Sequence, residues 1–157
     1  MSMIASLKSV NENKLKSLLS NPDGLTSYLY EEDGKVCDVD KAWHAIHFLL
    51  NKAVWEFSSI GGSVFLGGTP ISDEDVGYGP ARYFTAEESA AISEELMEVS
   101  DVTLLKHFEA LVSESEIYPG FSDNEEDREY IAQNFTHLKE FCSEVVKSGN
   151  SIITYMC

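Results

Sequence analysis

The sequence predicts an α+β fold in which several helices pack on a small sheet that includes both the N-terminal and the C-terminal strand. Three observations point there. Both ends of the chain carry short strand-like segments, strong helical periodicities lie between them, and strand and helix do not alternate in the way a doubly wound parallel sheet requires. At 157 residues with 43% apolar residues, one domain spanning 1–157 is expected, long enough to bury a core without disulfides or metal.

Met3 to Val10 mixes apolar and polar residues as a strand does, and Ser151 to Met156 is rich in β-branched and aromatic residues. Asn11 is a cap residue ahead of Leu15, Leu18 and Leu19 at helical spacing, a pattern that Asn21, Pro22 and Gly24 break; Leu25 to Tyr30 can form a second short helix. Glu31 to Lys35 reads as a solvated turn. Asp38 or Asp40 then caps a long helix that places Trp43, Ile46, His47, Leu50, Val54 and Phe57 on one broad face. Glycines and prolines punctuate residues 61–80, which are expected to be loop with one short strand.

Thr85 and Glu88 stand at capping-box spacing before Ile92, Leu96 and Val99, with Glu87, Glu94, Glu95 and Glu98 on the outer face of that helix. Ser100 can start another, with Val102, Leu105, Phe108 and Leu111 or Val112 facing inward. Pro119 lies beyond its end. Ser122 and Glu125 form a second capping-box pair ahead of Ile131, Phe135, Leu138, Cys142 and Val145, whose steps of four and three run until Gly149.

Charge restricts the partners. The chain has 11 basic and 27 acidic residues, a formal net charge of -16. Phosphate backbones and anionic membrane surfaces would repel it, so nucleic acid and membrane are poor partners. The imbalance is uneven: residues 1–60 hold six Lys and eight acids, the remainder five basic residues and nineteen acids. No apolar run resembles a signal peptide's central region or approaches the roughly 20 apolar residues of a membrane span. Cys37, Cys142 and Cys157 show no CxxC spacing, which fits unpaired thiols in a cytoplasmic protein.

Four segments together resemble the YfbM-like bacterial proteins, a domain of unknown function, along the whole chain. They are Met1-Ser-Met-Ile-Ala5, Asp38-Val-Asp-Lys-Ala-Trp-His-Ala-Ile-His-Phe-Leu-Leu50, Gly77-Tyr-Gly-Pro-Ala-Arg-Tyr-Phe84 and Ile117-Tyr-Pro119. The resemblance implies an α+β fold and brings no established catalytic residue. Function has to be argued from sites.

Asp40, His44 and His47 stand at steps of four and three, so on one continuous helix they would point within roughly 60° of each other and could reach a divalent metal. No HExxH, CxxC or second ligand cluster supports a metal site, and the competing reading makes Asp40 the helix cap and the histidines structural. No serine sits in GxSxG, and neither Gly61-Gly-Ser-Val-Phe-Leu-Gly-Gly68 nor Gly77-Tyr-Gly79 spells a phosphate-binding loop, so no cofactor is implied. Trp43, His44, His47, Tyr78, Arg82, Tyr83 and Tyr118 lie in the family-like segments and would form a ligand pocket if they converged, although large aromatics of this kind also fill cores. Glu87, Glu94, Glu95, Glu98, Asp123, Glu125 and Glu126 would together make an acidic docking face for a basic protein, or a solvated surface that keeps the chain soluble. The favoured expectation is a non-catalytic protein-binding module of immunity or inhibitor type. The alternative is a ligand-binding protein or metal-dependent enzyme built on the pocket of Trp43, His44, His47, Arg82 and Tyr118.

Overall fold

A computed structural model describes residues 2–157. Five antiparallel strands form one sheet in the order β2-β1-β5-β4-β3. They are β1 (Ala5–Val10), β2 (Val36–Asp38), β3 (Thr69–Asp75), β4 (Pro80–Phe84) and β5 (Ser151–Met156). The two chain ends pair along their full length at the centre, Ala5 opposite Met156 and Val10 opposite Ser151. Alternation along these strands makes two cores. Leu7, Ile152 and Phe84 face the main one, while Val10, Ile153, Tyr155 and Ala81 face a smaller one closed by Leu15, Leu18, Leu25 and Tyr28.

Those last residues belong to α1 (Glu12–Ser20), capped by the Asn11 side chain on the Lys14 amide, and to α2 (Leu25–Tyr30). Lys8 points into this smaller layer and is fully buried. Its Nζ donates to the Tyr28 and Glu32 carbonyls at the end of α2 and lies 4.4 Å from the centroid of the Tyr28 ring. A cation suits a helix C-terminus, and loss of solvent pulls the Lys8 pKa down from its usual value.

The main layer is built on α3 (Trp43–Asn51), α4 (Ala86–Met97) and α7 (Glu125–Lys147). In α7 the predicted stripe Ile131, Phe135, Leu138, Cys142 and Val145 is buried as a unit, each large side chain contributing about 1.5–3 kcal/mol. Both bonds of the Thr85–Glu88 capping box are made in α4. The start of α7 differs from expectation. Asn124, not Ser122, is the cap, accepting from the Asp127 amide, while the Ser122 amide donates to the Asp127 carboxylate.

Two other expectations are corrected and one is met. The helix of Trp43 stops at Asn51 instead of running to Phe57, because Lys52 turns left-handed (φ 55°) and Asn51 Nδ2 bonds the carbonyls of both His47 and Gly62. The one short strand expected within residues 61–80 is β3, seven residues long, which leads through a turn into β4. Pro70 is tolerated because β3 is an edge strand, and Asp75 Oδ1 accepts from the Gly77 and Gly79 amides to close the hairpin. Gly77 (φ 156°) is required there, since a Cβ would stand 2.5 Å from the Met156 carbonyl oxygen. Finally, Val102 faces water. The helix begun by Ser100 is α5 (Asp101–Leu104), which tightens into a 3-10 turn over Leu105–His107 before α6 (Phe108–Ser113). Leu104, four residues before the buried Phe108, is inside at 1% exposure, and Val102, two residues earlier and so about 200° away around the helix, is outside at 84%.

This register is open to measurement by urea denaturation. Leu104→Ala is expected to cost about 2–5 kcal/mol, whereas Val102→Ala should stay within about 0.5 kcal/mol.

Candidate functional site

The predicted pocket residues divide into two groups. Trp43, His44, His47 and Tyr118 come together on the main core, whereas Tyr78, Arg82 and Tyr83 sit on the β3–β4 hairpin and the strand after it. Tyr78 donates its amide to Met156, Arg82 pairs across to Thr154 and Pro70, and Tyr83 packs against the smaller core on the opposite face of the sheet. The seven side chains therefore do not line one cavity.

The first group is a closed hydrogen-bonded assembly. Trp43 Nε1 donates to the Met3 carbonyl at 3.1 Å, and the Met3 amide donates to the Tyr118 hydroxyl at 3.0 Å. His44, fully buried, stacks on Trp43 and lies under Trp55, each ring centroid 4.6 Å away. Its Nδ1 accepts from the Tyr118 amide at 3.0 Å and its Nε2 faces the Val54 carbonyl at 2.9 Å. An amide can only donate and a carbonyl can only accept, so His44 is the neutral tautomer with its proton on Nε2. Burial lowers its pKa, partly offset by the Val54 carbonyl and the charge of Glu116. His47 is buried beside it, ring centroids 6.5 Å apart, and its pKa is lowered by burial and then by His44. Asn51 Nδ2 lies 3.3 Å from His47 Nδ1; Nε2 has no hydrogen-bond partner among the described residues, although the Glu56 and Trp55 backbone lies near enough to favour the charged form.

Asp40 does not join these histidines. It precedes α3 in a 3-10 turn with a left-handed backbone (φ 51°), so the angular spacing of a continuous helix does not apply, and its Oδ2 accepts from the Tyr130 hydroxyl at 2.6 Å. Among the described residues no group of three or more His, Cys, Asp or Glu is placed to hold a metal ion. Cys37 and Cys142 are buried with thiols pushed up to about 12, chiefly by burial, and are poor nucleophiles at neutral pH.

The Asp40–Tyr130 bond instead floors an open cleft of about 480 Å³ between the start of α3, the 119–121 turn and the first half of α7. Burial and then the Asp40 carboxylate push the Tyr130 hydroxyl pKa up, so it stays a donor. Tyr130 also accepts from the Lys41 amide, and its ring lies 6.3 Å from that of Phe121. Asp40, Glu126, Asp127 and Glu129 line this cleft against one ammonium, that of Lys41. Phe121 and Tyr130 were not singled out by sequence: Tyr130 bonds residues about 90 positions away, and Phe121 meets it only across the turn before α7, so neither leaves a local signal.

The predicted acidic face also divides. Glu87, Glu94 and Glu98 are exposed on α4, but Glu95 is half-buried and accepts from the Gly61 amide at 2.7 Å. Lys139 Nζ bonds the Val99 carbonyl just past α4, and Lys139 lies about 21 Å along α7 from Glu125. Asp123 is paired with Arg128 at 2.8 Å, which leaves Glu125 and Glu126 exposed on the first turn of α7.

Two buried neutral histidines with lowered pKa make stability depend on acid. Below about 6.5 the unfolded chain takes up protons that the folded chain resists, so their contribution is complete above that pH and is lost as pH falls. Acid also relieves the repulsion of a net charge of -16, so the readout is a difference: between pH 7.5 and 5.5, melting temperature should fall more, or rise less, in the wild type than in His47→Gln. Equal slopes would contradict buried neutral imidazoles.

The chain matches a family model described as a domain of unknown function, DUF1877, over residues 1–155. Among solved structures it is similar to YfbM of Escherichia coli, a protein of unknown function, at 23% identity, covering 98% of this chain and 99% of that one with a TM-score of 0.74. No curated protein matches it. The match over nearly the whole length, with the shared α+β fold, makes this chain a member of the DUF1877 family.

Proposed function

We propose that the chain is a non-catalytic, cytoplasmic binding protein whose target is a basic protein, in the manner of an immunity or inhibitor module. The observation that carries this reading is the cleft beside α7, where four carboxylates and two aromatic rings surround a single lysine. Carboxylates pair with a guanidinium or ammonium, and the faces of Phe121 and Tyr130 add cation–π attraction of about 0.5–1 kcal/mol at such exposed sites. Glu126 and Glu129 are exposed and make no ion pair among the described residues, so a partner's cations need not displace an internal one.

The histidine cluster supports catalysis poorly. His44 has both ring nitrogens occupied and its ring is packed between two indoles, while His47, whose Nε2 is unpartnered among the described residues, is fully buried away from any open cleft. A general base needs a free nitrogen within reach of substrate.

The test is binding to basic proteins encoded beside this gene. A true partner should lose about tenfold in affinity in Glu126→Lys/Glu129→Lys and weaken further between about 50 and 300 mM salt. Absence of binding, or binding indifferent to both changes, contradicts the reading.

A further inference from the structure

On the other flank of the same α7 ridge lies a second groove, of about 390 Å³, lined by Val102, Leu105, Ala132, Glu125, Arg128 and Glu129. On α7, Glu125, Arg128 or Glu129, and Ala132 recur at steps of three and four and so share one face. Val102 stands opposite at 84% exposure in the first turn of α5, with Leu105 one turn on and partly buried in the main core. An apolar β-branched side chain so exposed contributes nothing to the core beneath it.

The charges around this apolar strip are one-sided. Arg128 is already neutralised by Asp123 at 2.8 Å and lies 4.5 Å from the centroid of the Phe108 ring, whereas Glu125 and Glu129 carry no ion pair among the described residues. Further along α7 a cleft of about 360 Å³ holds Met97, 58% exposed, and Thr136, but there Lys139 and Lys147 stand beside Glu140 and Glu144, so the one-sided charge is confined to the groove at the start of α7. The furrow at the start of α7 thus has the apolar Val102 and Leu105 on its α5 bank and the unpaired carboxylates of Glu125 and Glu129 on the α7 ridge.

We propose that this furrow receives an amphipathic basic helix of the partner protein, its apolar stripe on Val102, Leu105 and Ala132 and its flanking lysines or arginines on Glu125 and Glu129. A helix laid in a groove presents apolar anchors at i, i+3, i+4 and i+7, and rim carboxylates fix its orientation. The inference rests on the reading of a basic partner and adds what shape that partner offers.

The probe is a synthetic peptide of about 18 residues with leucines on one helical face and lysines elsewhere, compared with a permuted peptide of equal composition that has no apolar face. Both are titrated into the full chain and followed by fluorescence anisotropy and amide chemical shifts. The amphipathic peptide should bind about tenfold more tightly than the permuted one, shifting residues 102, 105, 129 and 132, and Val102→Ser should remove most of that preference while leaving the permuted peptide unchanged. Val102 is exposed, so this variant does not disturb the fold. Equal binding of both peptides, or shifts confined to Asp40 and Phe121, overturns the helix-in-furrow assignment and leaves the basic-partner reading standing. Binding by neither peptide overturns the furrow as well as weakening the reading beneath it.

Discussion

His44 is the group on which the surroundings of the cleft depend. One imidazole holds the Val54 carbonyl on one side and the Tyr118 amide on the other, with Trp43 and Trp55 on its two faces. Those contacts tie the segment after α3 and the turn before α7 to the same helix. The Tyr118 turn continues directly into Pro119, Gly120 and Phe121, which wall the cleft, so its shape follows from a neutral ring in the core. A buried hydrogen bond of this kind contributes only about 0.5–1.5 kcal/mol net, but leaving its donor or acceptor unpaired costs more. That asymmetry explains why a histidine can specify the local arrangement without being catalytic.

The acids of α7 serve two ends. Glu125, Glu126 and Asp127 occupy the first turn, where negative charge meets the positive end of the helix dipole, and this accounts for them structurally. Glu129 lies beyond that turn and Asp40 belongs to another element; only the tertiary fold brings them beside Glu126 in one cleft. Asp40, Glu129 and the two rings therefore distinguish the cleft as a binding surface more than the number of acids does. The α4 glutamates, separated along α7 and including one that caps the Gly61 turn, are better explained as solvated surface and local structure.

Much of the architecture was legible because strong local rules agree with the global fold. The Thr85–Glu88 box, the Ile131–Val145 stripe and the β-branched C-terminal strand each predict what forms. The strand expected within residues 61–80 had no readable position because β3 is an edge strand: Pro70 and the acids of Ser72–Asp75 are tolerated where one side has no neighbour to pair with. The end of α3 was hidden because Asn51 stops the helix through a bond to Gly62, eleven residues on. Val102 was misplaced because three-residue steps back from Phe108 drift around the helix, whereas the four-residue step to Leu104 stays on the buried face. At the site, Trp43, His44 and Tyr118 do meet, as a buried hydrogen-bonded cluster, while Trp55, Phe121 and Tyr130 depend on contacts that no periodicity encodes.

The most direct measurement is the nitrogen NMR spectrum of the His44 ring in the intact chain. Our account predicts a neutral ring at pH 7 with its proton on Nε2, coupled to Val54, and titration only below the usual histidine value of about 6.5. A ring protonated on Nδ1, or already charged at pH 7, would break the bond to the Tyr118 amide and contradict the structure proposed for the cleft.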